Sequence, residues 1–138
     1  MSPETIASTL ISIPIGLVSG LYAGLVVARY QRFADLRLQA KRVVIELGCS
    51  MEGDHMVFPG RTETPELAII ASDLLLLKHR HAAEVLLKLT SQIYATIQDA
   101  KMGRITFSDY QHQLLSWQSA INAISPSPIP LLRLWAGL

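Results

Sequence analysis

The chain has 138 residues, half of them hydrophobic and 17% charged, with a formal net charge of +1 and a single cysteine. That length suits one modest domain, or an apolar anchor joined to a smaller domain. The near-neutral balance carries no polyanion signature, so duplex nucleic acid is not an expected partner, and a lone Cys49 excludes an intrachain disulfide or a cysteine-based zinc site within one chain.

After a short tail, residues 1–4, the 24 residues from Thr5 to Ala28 hold no charge and lie between Glu4 and Arg29. As a helix they would extend roughly 36 Å, enough for a hydrocarbon core of about 30 Å. Pro14 should bend that helix, and its serine and threonine hydroxyls can relieve the freed backbone groups. A cleaved signal peptide would need a basic start, whereas "MSPET" has no lysine or arginine. The expectation is therefore a transmembrane helix over 5–28, with a buried helix as the competing reading. Arg29, Arg32 and Arg37 follow the span and none precede it. This orients the N-terminus outside and the remainder in the cytoplasm, as for a bacterial inner-membrane protein. Ser12, Gly16, Gly20, Gly24 and Ala28 recur every fourth residue, a small-residue face on which membrane helices approach closely. That glycine-zipper-like pattern predicts a homo-oligomer.

Nothing breaks the helix before Gly48, so residues 29–47 read as a basic stalk continuous with the span. Phe33, Leu36, Ala40, Val43 and Leu47 form an apolar seam at three- and four-residue spacing, suited to association along the stalk. Its arginines, Arg29, Arg32 and Arg37, are expected to contact anionic headgroups. Residues 48–64 hold Gly48, Gly53, Gly60 and Pro59 and read as a loop with an extended piece near Val57.

A helical bundle is expected over 65–124. Thr64 can cap its first helix, Pro65 suits the first helical position, and Glu66 complements the positive helix end. The stripe Leu67, Ile70, Leu74, Leu77 slips phase before Ala82, Leu86, Leu89, Ile93, Ile97. That slip predicts two helices meeting at Lys78–His81, with one bent helix as the alternative. Gly103 closes the next helix, Ser108 with Gln111 offers a capping box, and Phe107, Tyr110, Leu114, Trp117, Ile121 and Ile124 make a regular seam. Residues 125–138 combine an extended "SPSPIP" with an apolar tail whose Trp135 suits a membrane surface.

Catalytic motifs do not stand out. There is no phosphate-cradling glycine loop, G-x-S-x-G, H-E-x-x-H or paired-cysteine pattern. Cys49, Asp54 and His55 share a loop but lack an orienting third group. No catalytic residue, metal or cofactor is expected, and an enzyme is the least favoured class. "KHRH", with Lys78, His79, Arg80 and His81, gathers donors that suit an anionic small molecule such as a nucleotide. Cations complementing a helix C-terminus account for the same residues structurally.

The expected fold is all-α: a single-pass transmembrane helix, a cytosolic helical stalk and a cytosolic helical bundle. In this layout the chain resembles small membrane effectors of bacterial antiviral defence, including ancillary effectors of type III CRISPR systems. The resemblance implies a sensor domain that drives a channel-like or membrane-perturbing oligomer. The partners expected are the bilayer, other copies of the chain, and a triggering ligand or cytosolic protein. The other reading is a membrane anchor or assembly subunit whose helical domain docks a partner protein.

Overall fold

The computed structural model describes the backbone of residues 3–133 and the side chains from Pro14 to Arg133. Ser12, Trp135 and residues 5–13 of the expected span lie outside the described side chains. The chain is mostly helical: α1 (Pro3–Ile45), α2 (Pro65–Leu76), α3 (Arg80–Lys101), α4 (Phe107–Ala123) and α5 (Pro128–Leu132). A small antiparallel hairpin, β1 (Ser50–Glu52) with β2 (His55–Val57), occupies the loop after α1 and pairs Ser50 with Val57 and Glu52 with His55.

The transmembrane expectation is corrected: no helix is long and apolar enough to cross a membrane, among the described residues. The uncharged stretch with described side chains, Pro14 to Ala28, is fifteen residues. One side of α1 also meets protein at this level. Tyr22 donates its hydroxyl to the Leu132 carbonyl at 2.7 Å, and Arg29 donates to the carbonyls of Pro130 and Arg133. A single-pass membrane location, its orientation, and the layout resemblance to membrane effectors are therefore not supported.

The stalk is corrected for a related reason. Phe33, Leu36, Ala40, Val44 and Leu47 are buried within the chain's own bundle. α1 packs against α2, α4 and α5, so the seam expected to join separate copies is the centre of one core. Val44 takes the buried position and Val43 lies at its edge. Arg37, expected at a lipid surface, instead donates to the Ile124 carbonyl at 3.2 Å and complements the C-terminal end of α4.

Two helix ends share one geometry. After α2, the His79 N–H donates to the Leu74 carbonyl at 2.8 Å and the Lys78 N–H to Leu75 at 2.9 Å. After α3, Arg104 donates to Asp99 at 2.8 Å and Gly103 to Ala100 at 3.1 Å. Both are six-to-one and five-to-two closures around a left-handed residue. That residue is Gly103 after α3 (φ 66°) and Lys78 after α2 (φ 63°). The break between α2 and α3 thus comes from a Schellman turn that lacks its usual glycine.

Helix starts differ in detail from the sequence expectation. Thr64 precedes α2, but its side chain makes no capping bond; Pro65 at the first position and Glu66 in the first turn remain. The capping box of α4 is Thr106 with Asp109, two residues before the expected Ser108 with Gln111. The Thr106 hydroxyl accepts from the Asp109 N–H at 3.2 Å, and the Asp109 carboxylate accepts from the Thr106 N–H and hydroxyl. Those bonds from Thr106 hold the Asp109 carboxyl below its ordinary value.

The α4 seam buries Tyr110, Leu114, Trp117 and Ile121. Tyr110 sits edge-on to Phe58 and Trp117, and its hydroxyl donates 2.7 Å to the Leu47 carbonyl at the end of α1. Burial, more than the nearby Cys49, pushes the phenol well above its ordinary range. Finally, "SPSPIP" is extended only as far as Ser127. Pro128 opens the one-turn α5, where a missing N–H costs nothing.

Candidate functional site

The residues of "KHRH" do not converge. Lys78 and Arg80 point to solvent, as does His81, while His79 is 2% exposed and belongs to the core. The left-handed turn at Lys78 is the cause, because it swings the next residue inward toward the core. His79 meets Phe33 of α1 edge-on at a centroid distance of 4.8 Å. Its Nδ1 accepts the Ser127 N–H at 3.1 Å, just before α5. A neutral ring that accepts at Nδ1 carries its proton on Nε2. Burial lowers the His79 pKa from its ordinary value, favouring that neutral form.

His79 therefore ties together three elements, and beside it they border a half-open cavity of about 270 Å³. Its polar lining is Arg29, Arg32 and His79; Leu25, Ala28, Leu77 and Pro130 supply the apolar wall. Arg29 is fixed through one terminal nitrogen by the carbonyls of Pro130 in α5 and Arg133 just after it. Arg32 is exposed and stands 4.0 Å from the Asp73 carboxylate. The anion-binding expectation and the headgroup expectation came from separate stretches of sequence. The fold brings one member of the first beside two of the second.

The other candidate is the outer face of α1. At ~100° per residue, Gly16, Gly20 and Gly24 lie roughly opposite the line Tyr22, Val26, Arg29, Phe33 and Leu36 that meets the bundle. Nothing lies within 4 Å of a Cβ built on any of these three glycines. Ala28 lies off this face, lining the cavity. The same outer direction continues far below the glycines. Leu17, Gly24, Gln31, Leu38 and Ile45 recur every seven residues and are exposed, with Gly20, Val27, Ala34 and Lys41 interleaved. This second seam was present in the sequence as a three–four spacing. Over residues 14–28 it was hidden there by apolar residues on every side of the helix, and it became legible once the bundle had claimed one of them.

The hairpin residues form no comparable site. Cys49 is half-buried and burial raises its thiol pKa, away from the thiolate that nucleophilic chemistry needs. Among the described residues no group of histidine, cysteine and acidic side chains is placed to hold a metal ion. Asp54 and His55 line a pocket of about 290 Å³ with Lys101 and Thr106, similar in size to the one beside His79 but with a carboxylate among its polar groups.

No family model, curated protein or solved structure matches the chain, and its functional reading rests on this geometry.

Proposed function

We propose that this chain is a self-assembling helical module in which copies pair along the outer face of α1. The observation that carries the reading is the solvent-facing heptad seam from Leu17 to Ile45, on the side of α1 turned away from the bundle. Four successive heptads reach about 42 Å, long enough for a stable two-helix contact.

The physical drive is apolar burial. Leu17 is 65% exposed, Val27 53% and Ile45 51%. Apolar residues repeated along one helix face offer a surface that a partner helix can cover, with Gln31 and Lys41 interrupting it. Gly20, Gly24 and Ala34 allow the backbones to approach closely, while Leu38 and Ile45 supply bulk at the other end. Gln31 is a lone polar residue on the seven-residue line, the kind of position that fixes register at some cost in stability. A second copy suits the seam because it brings the same repeat and the same polar position. The bundle then sits on the far side of each α1, free to respond to a ligand or a protein partner.

Sedimentation equilibrium on the full chain tests this. The wild type should associate at micromolar concentration, and Leu38→Glu with Ile45→Glu should shift it to monomer with the helical circular dichroism preserved. Gly20→Leu should weaken association by holding the helices apart. A monomeric wild type, or an unchanged oligomer in the double variant, would overturn the proposal.

A further inference from the structure

We propose that the cavity bounded by Arg29, Arg32 and His79 binds a small phosphate monoester. Each polar side chain on its wall is a donor. Arg29 carries five N–H groups, and the bonds to Pro130 and Arg133 use one terminal nitrogen. Arg32 adds a second guanidinium, held loosely by Asp73 at 4.0 Å. His79 contributes the Nε2 proton that its Nδ1 bond to Ser127 enforces. Among the described residues, Nδ1 is the ring nitrogen with a hydrogen-bond partner. A hydroxyl or amide ligand would find donors without acceptors, whereas an oxyanion satisfies all three.

Charge and size narrow the class. Two guanidiniums match a phosphate monoester, which carries a charge of about −1.5 to −2 near pH 7, and planar arginine forks recognise phosphate oxygens in pairs. The volume of about 270 Å³ exceeds what a bare phosphate fills and lies at the lower edge of small-ligand pockets, roughly 300–1,000 Å³. The remaining wall, from Leu25, Leu77 and Pro130, is apolar and suits a compact organic group. Occupancy would bridge α1 to the turn between α2 and α3. The cavity is on a different flank of α1 from the Leu17–Ile45 seam, so binding here is separable from pairing there.

Isothermal calorimetry on the full chain at fixed ionic strength, with phenyl phosphate and inorganic phosphate as probes, decides the matter. Both should bind, phenyl phosphate more tightly. Arg32→Gln should weaken both at least tenfold, as expected for loss of a charge-assisted hydrogen bond. Arg32 is exposed, so this variant keeps its fold, which a thermal melt verifies. Asp73→Asn should strengthen binding by removing the competing carboxylate, and Leu25→Ala should weaken phenyl phosphate alone. Absence of heat for both probes at ten-millimolar concentration would overturn the site. Binding undiminished in both Arg32→Gln and Arg29→Gln would place the anion elsewhere and overturn it equally. Equal affinity for the two probes would overturn the monoester assignment.

Discussion

Lys78→Gly is expected to stabilise the protein, because the left-handed position after a helix is one that glycine adopts without strain. Lys78 is held at φ 63°, in the left-handed region. For an L-residue with a Cβ that conformation costs about 1–2 kcal/mol. Glycine removes the strain but adds unfolded-state entropy of roughly 0.4–1 kcal/mol. The net gain is therefore about 0.5–1 kcal/mol, or a rise of ~2–5 °C in Tm for a domain of this size. The lysine side chain is exposed and makes no hydrogen bond or ion pair among the described residues, so nothing else of this magnitude is lost. Gly103 provides the mirror experiment, because it holds the same turn after α3 at φ 66° with nothing within 4 Å of an added Cβ. Gly103→Ala should lower stability by a similar ~0.5–1 kcal/mol through the backbone alone. Urea denaturation followed by circular dichroism measures both. A destabilised Lys78→Gly would refute the strain argument and imply that the lysine side chain makes a stabilising contact.

Tyr110→Phe should cost about 1–3 kcal/mol in the same assay, because the buried Leu47 carbonyl loses its 2.7 Å donor. Thr106→Ala should cost ~1 kcal/mol as a lost N-cap, whereas Ser108→Ala should stay within about 0.5 kcal/mol. An equal effect at the two positions would refute the assigned helix start. The buried, neutral His79 makes stability depend on pH. Its folded pKa lies below the ordinary 6.5, so the unfolded chain binds more protons as pH falls. Stability should therefore decline from pH 6.5 downward and level off below the folded pKa. Chemical denaturation from pH 7.5 to 5 should give a shallower slope for His79→Gln than for the wild type, and an identical slope would rule out His79 as the source.

The sequence determined much of the local structure, because the relevant physics acts over a few residues. The phase slip between Leu77 and Ala82 marked the break that Lys78 makes, and the α4 seam from Tyr110 to Ile121 follows its spacing. Capping was less legible. Thr106 with Asp109 and Ser108 with Gln111 both fit the pattern, and the helix forms the first of the two. What tertiary structure alone decided is which face of α1 meets protein. Residues 14–28 are apolar all round, so their periodicity cannot separate lipid, bundle and partner. The contacts of Tyr22 and Arg29 with α5, about a hundred residues distant in sequence, show which side meets the bundle. The same long-range packing turned His79 inward from a polar cluster and set it beside Arg29 and Arg32. Sequence spacing carries no information about such a meeting, because the three side chains reach one cavity only after α1, the α2–α3 turn and α5 have closed around a shared core.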